Sequence, residues 1–129
     1  MLRLLDTSVA NPLRDVDAAV AIRIAALDPL PILSVLTIVE LEGGIVSAKI
    51  GSPQRRGAVD AMLSLMTVLP FGSREAAIYG QIAAALGYSR RLIIDRMIAA
   101  QAIAIDATLV TLNPRDVRAI PNLSIEDWS

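Results

Sequence analysis

Cysteine and histidine are both missing from the 129 residues. No disulfide can form, and there is neither a thiol nucleophile nor a Ser-His-Asp triad. A zinc site of the usual Cys/His type is excluded, and so is any ribonuclease chemistry that relies on an imidazole acid and base. Aromatics are scarce at 3%. No uninterrupted apolar run approaches the roughly 18 residues that a membrane helix needs. An amino-terminal signal peptide is not expected either, because Asp6 interrupts the first apolar run almost at once. These absences point to a soluble, cytoplasmic protein. A length of 129 residues fits one domain, taken here as 1–129. For hydrolysis the chain is left with carboxylates, hydroxyls, arginine and hard metal ions held by oxygen.

Aliphatic residues dominate what is present. Hydrophobic residues make up 54% of the chain, and the mean hydropathy is +0.56. That composition predicts an Ala/Ile/Leu/Val interior with apolar surface left over for a partner to cover. A net charge of −1 gives no global sign of nucleic-acid binding, yet the twelve basic residues are all arginine except Lys49. Arginine is the better phosphate fork.

Leu2, Leu4 and Leu5 read as a buried strand. The run stops at Asp6, followed by Thr7 and Ser8. A carboxylate at the end of a buried strand is costly unless paired, hydrogen-bonded or bound to a cation. Ligands of open α/β sheets sit outside the carboxyl ends of the strands. Helical spacing follows over Asp15–Leu27, then a strand over Pro31–Val35 and a helix from Thr37 to about Lys49. Ser52 is expected to cap a helix that Pro53 opens. That helix runs to Met66, with Val59, Met62, Leu63 and Met66 on one face. A strand over Thr67–Phe71 leads to a helix capped by Ser73 and stopped at Gly87. Leu92–Ile105 is apolar almost all round, so it should be buried on several sides. Strands are expected at Thr108–Thr111 and Leu123–Ile125, with a turn at Asn113–Asp116 between them. Strand alternates with helix throughout, which predicts an α/β/α layered domain with a mostly parallel sheet.

Four acids are candidates for chemistry, and each has a plainer reading. Asp6 could cap the next helix. Glu40 stands three residues after Thr37, the spacing of a capping box. Asp95 lies where a helix dipole favours an anion, with Arg91 four residues earlier, but it sits among Ile94, Ile98, Ala99 and Ala102. Asp116 belongs to a turn of ordinary composition. Jointly they say more: Asp6 and Asp116 follow strands on one edge of a parallel sheet, and Glu40 and Asp95 lie near helix starts that face it. Two such charges about 4 Å apart repel by roughly 4 kcal/mol at an effective dielectric near ~20. A cluster of that kind calls for Mg²⁺ or Mn²⁺, or shifts its pKa values upward.

The ordered set of motifs resembles the PIN-domain nucleases. It consists of Leu4-Leu5-Asp6-Thr7-Ser8, then Ser34, Thr37, Glu40-Leu41 and Gly44, then Asp95 with Ile98-Ala99-Ala100, then Leu109-Val110-Thr111, Asn113 and Asp116. Leu123-Ser124-Ile125-Glu126-Asp127-Trp128 resembles the ending of the VapC toxin branch. The resemblance implies the PIN fold, a Mg²⁺- or Mn²⁺-dependent endoribonuclease, and the toxin half of a type II toxin–antitoxin pair. It places Asp6, Glu40, Asp95 and Asp116 on the family's acidic positions, Asp6 and Asp95 on those most often assigned to the metal. Thr7, Ser8, Thr111 and Asn113 match supporting polar positions. It further implies a VapB-like antitoxin that covers the acids, a toxin homodimer or a higher assembly with the antitoxin, and RNA as substrate. The chain departs from the pattern at Ser8, where Asn is common, at Leu112, in place of Arg, and at Val117, in place of the Phe that would steady Asp116. Arg90, Arg91, Arg96 and Arg115 are candidate phosphate contacts. Two competing readings are a non-catalytic or receiver-like module and a haloacid-dehalogenase-like phosphatase. The phosphatase wants a second Asp where Ser8 stands.

Overall fold

The computed structural model describes residues 1–129. Its strands are β1 (Arg3–Leu5), β2 (Ile32–Ser34), β3 (Val68–Leu69), β4 (Thr108–Thr111) and β5 (Ser124–Asp127). They form one sheet in the order β3-β2-β1-β4-β5, and every neighbouring pair is parallel. The helices are α1 (Thr7–Arg14), α2 (Ala18–Ala25), α3 (Val35–Ser47), α4 (Ser52–Leu65), α5 (Ser73–Leu86) and α6 (Ile93–Ala104), with a 3-10 turn at Pro114–Asp116.

The period of two along a strand sorts side chains to the two faces of the sheet. Leu5, Leu33 and Val110 stand level across three strands and pack against Val9 and Ala10 of α1, Leu41 of α3, and Val59 and Met62 of α4. Leu4 and Leu109, one residue earlier, pack on the opposite side against Ile82 of α5 and Ile98, Ala99 and Ala102 of α6. Two cores on two faces make the three layers expected from the alternation. No helix is long and apolar enough to cross a membrane.

Several local expectations are corrected. The segment read as one helix over Asp15–Leu27 is the turn that ends α1 followed by the shorter α2. They are broken at Val16, whose φ of 61° is left-handed, and α2 restarts with the Asp17 carboxylate accepting from the Val20 amide. Helix α1 is not signalled by the sequence pattern, because it carries Pro12 in its interior, where a missing N–H and a ring clash ordinarily end helices. Helix α3 is capped by Ser34, whose hydroxyl accepts from the Leu36 amide. Thr37 and Glu40 therefore lie inside α3, not at its boundary, and form no capping box. Gly51, not Ser52, caps α4; its φ is 83°. The Ser52 hydroxyl instead donates to the Ile45 and Ala48 carbonyls at the end of α3. Gly72, not Ser73, precedes α5, and its amide donates to Glu75 Oε2. On α4, Val59 and Met62 are buried but Leu63 is exposed.

Because all five strands run the same way, their carboxyl ends share one edge. Asp6 leaves β1 there, and Thr111 ends β4 there. Helices α3 and α6 start there too, since each runs back against the sheet.

Candidate active site

Asp6 is the residue between β1 and α1, and it is 6% exposed. Its backbone carbonyl opens α1 by accepting from the Val9 and Ala10 amides. The side chain makes no cap and accepts a hydrogen bond from the Ser8 hydroxyl. Ser8 Oγ in turn accepts from the Leu112 amide at 2.9 Å. Its single proton is thus committed to Asp6, and Thr111 Oγ1 lies 3.4 Å away. One small hydroxyl at position 8 thereby ties the ends of β1 and β4 together. Burial pushes the Asp6 carboxyl up from its ordinary range, and the Ser8 and Thr111 hydroxyls pull the other way.

Glu40 is reached from α1. Thr7 Oγ1 donates to Glu40 Oε1 at 2.7 Å, so the 3.0 Å contact with Thr37 Oγ1 is donated by Thr37. The Thr37 hydroxyl, fully buried, steadies Thr7, and Thr7 steadies an exposed carboxylate. The sequence placed Thr37 in a cap, because Thr-x-x-Glu is the same pattern whether it stands at a helix boundary or one turn inside.

Asp95 lies in the first turn of α6. Its pKa is pushed up to about 6, first by burial and then by the charges of Asp6, Asp116 and Glu40, with Arg91 opposing. The structure thus brings the four acids singled out from the sequence into one electrostatic neighbourhood, with Asp95 feeling the other three. Asp116 Oδ2 accepts from Asn113 Nδ2 at 2.7 Å, and Oδ1 faces Arg91 Nη1 at 3.4 Å. Asn113 is itself oriented where its amide donates to Thr111 Oγ1 at 2.9 Å. Asp116 is therefore held by an amide side chain, and Val117 is free to fill the core, where it is 2% exposed.

The side chains do not converge into a ready-made cage of three carboxylates around one point. Mg²⁺ usually binds through one or two carboxylates and retains several waters. The donors are all oxygen, two of the acids are raised by burial, and no lysine or histidine lies among them. A hard divalent cation fits this set.

Of the four candidate phosphate contacts, Arg96 is withdrawn. It is buried, its Nη1 donates to the Gly87 carbonyl at 2.6 Å, and its Nε has no partner. Arg90, Arg91 and Arg115 are exposed.

Away from the acids, α1, α2 and α4 enclose an open groove of about 420 Å³, eleven of whose twelve lining residues are hydrophobic. Leu13, Ile24, Ala61, Met62 and Leu65 are among them.

The PIN domain family matches residues 3–122. Ribonuclease VapC2 of Rickettsia felis is 34% identical over 99 residues, which cover 74% of this chain and 72% of that protein. The structure of VapBC2 from Rickettsia felis bound to a promoter DNA fragment superposes with a TM-score of 0.86 at 26% identity, over the whole of both chains. DNA-bound VapBC from Salmonella typhimurium gives 0.84 at 27%, again over the whole of both.

Proposed function

The chain belongs to the PIN domain family, and on that ground we propose that it is a Mg²⁺- or Mn²⁺-dependent endoribonuclease acting in the cytoplasm as the toxin of a VapBC-type pair. The observation that carries this reading is Asp95 at the centre of the acids, its proton held up to about pH 6 by burial and by Asp6, Asp116 and Glu40. A group so placed is poised to exchange a proton for a metal ion.

Asp6 and Asp95 would hold the cation, with Glu40 and Asp116 completing its shell directly or through water. Once bound, a divalent ion there supplies a hydroxide near neutral pH and offsets the charge that develops on the phosphate. Ser8 fixes the rotamer of Asp6, Thr7 that of Glu40, and Asn113 that of Asp116. Thr111 supports both Ser8 and the Asn113 backbone. Arg91, which is 72% exposed at its side chain, can leave Asp116 for a substrate phosphate when RNA enters.

The partner is a VapB-like antitoxin, a reading supported by the toxin–antitoxin complexes to which the chain is similar. The apolar groove between α1, α2 and α4 is the surface that suits an apolar segment of that antitoxin. A chain so rich in aliphatic surface gains a cover for it when the complex forms.

The test is RNA cleavage by the purified chain, with and without Mg²⁺ or Mn²⁺. Cleavage should require the metal, disappear in Asp6→Ala and Asp95→Ala, and stop when antitoxin is added. Full cleavage by Asp95→Ala would end the proposal.

A further inference from the structure

Arg14 is an unusual place to find a charge. It ends α1, its side chain is only 9% exposed, and its guanidinium lies against the backbone of α3 at Gly44. A Cβ at Gly44 would stand 2.0 Å from Arg14 Nη1, so this bed exists only because residue 44 has no side chain. Arg55 of α4 comes in beside it, and its Nη1 donates to the Gly44 carbonyl at 2.8 Å. Both arginines direct Nε to the same atom, Asp15 Oδ1, each at 3.1 Å. One carboxylate answers two cations, so one positive charge remains over, and the terminal amino groups of Arg14 have no acceptor. Arg14, Asp15, Gly51 and Arg55 line a hollow of about 220 Å³. Val16 and Gln54 line both this hollow and the apolar groove, so the cationic pocket is the polar end of the same surface.

We propose that Arg14 and Arg55 form an anion subsite that receives one Asp or Glu side chain of the antitoxin segment lying in the apolar groove. This rests on the groove being the antitoxin's seat. Charge complementarity sets the acid: a nearly buried guanidinium with both terminal amino groups idle gains most from a carboxylate, to which arginine can pair through two parallel bonds. Position favours a protein ligand over RNA. Arg14 stands at the far end of α1 from Asp6, about 12 Å along an eight-residue helix, on the opposite edge of the sheet from the acids. An aliphatic groove also offers nothing to a phosphate backbone. The antitoxin segment is therefore apolar along its length, with an acid at the position that reaches the end of α1.

The full chain is titrated with its whole, purified cognate antitoxin, and RNA cleavage is followed separately. Arg55→Gln should weaken antitoxin binding about tenfold, the scale of one charge-assisted hydrogen bond, and by more at low salt, with kcat on RNA unchanged. Neutralising each acid of the antitoxin segment in turn should identify one whose loss costs nothing further in the Arg55→Gln background. Arg14→Lys, which keeps the charge but loses the fork, should also weaken binding and carries the Arg14 arm if Arg14→Gln fails to fold. Ala61→Glu, in the groove wall, separates the two levels of the argument. If it binds the antitoxin as the wild type does, the groove itself is wrong. If it fails to bind while Arg55→Gln and Arg14→Lys bind normally, the groove stands and the subsite is overturned. A raised KM for RNA in Arg55→Gln, with antitoxin affinity unchanged, would assign the cations to RNA and overturn it equally.

Discussion

Asp95 resists ionisation because it is half-buried and faces three other acids. Its folded pKa of about 6 lies above the ordinary 3.8, so the folded chain binds more protons than the unfolded chain between those values. Stability from this group is therefore complete at low pH and is lost as the pH rises from about 4 to about 6, and Asp6 is shifted in the same direction. In EDTA, the melting temperature of Asp95→Asn should pull ahead of the wild type across that window and keep a constant lead above about pH 7. Parallel pH profiles would contradict this. Asn113→Ala should release Asp116 and lower cleavage about 10- to 100-fold, as loss of groups that orient metal ligands does, with little change in melting temperature. The residues legible in the sequence were those whose type clashed with their setting: Asp6 at the end of a buried run, and Asp95 among isoleucines and alanines. Thr37 was not, because its pattern has a commoner meaning. The burial of Arg96 follows from a helix apolar on nearly every side, but arginine is ordinarily a surface residue and its letter alone points outward.

Helices and strands meet through a few polar ties as well as through the two cores. Gln101 of α6 is fully buried, yet every polar atom on its side chain is engaged. Its Oε1 accepts from Ser34 at the end of β2, and its Nε2 donates to the Leu69 and Pro70 carbonyls at 3.1 and 2.9 Å. One side chain thus binds α6 to two adjacent strand ends. Gln101→Leu should cost about 1–3 kcal/mol, because it strands buried carbonyls without a donor, read as a lower urea midpoint at unchanged slope. The strands and most helices were legible from their periodicity to within a few residues. The N-caps of α4 and α5 each moved by a single position, to the glycine just ahead of the expected serine, while that of α3 moved back three, to Ser34. Helix α1 was hidden by Pro12, even though it carries Thr7 and Ser8 into place.

The whole molecule couples its stability to what it binds. Four acids repel one another at one edge; if they hold a cation as proposed, Mg²⁺ or Mn²⁺ should raise the melting temperature. At a hundred times the dissociation constant the gain is about 2.7 kcal/mol. The rise should vanish in Asp95→Asn, and a rise of equal size there would place the ion elsewhere. The alternation of strand and helix made the parallel sheet legible, together with the edge at which the acids gather. The strand order β3-β2-β1-β4-β5 was not legible, because the lengths of the connections allow several crossovers.

That order has a consequence for biosynthesis. The first strand to leave the ribosome sits in the middle of the finished sheet, and one of its two neighbours, at Thr108–Thr111, is among the last. Until that late segment emerges, the Leu112 amide is not there to donate to Ser8 and Asp116 does not yet exist, so the four acids come together only when synthesis is nearly over.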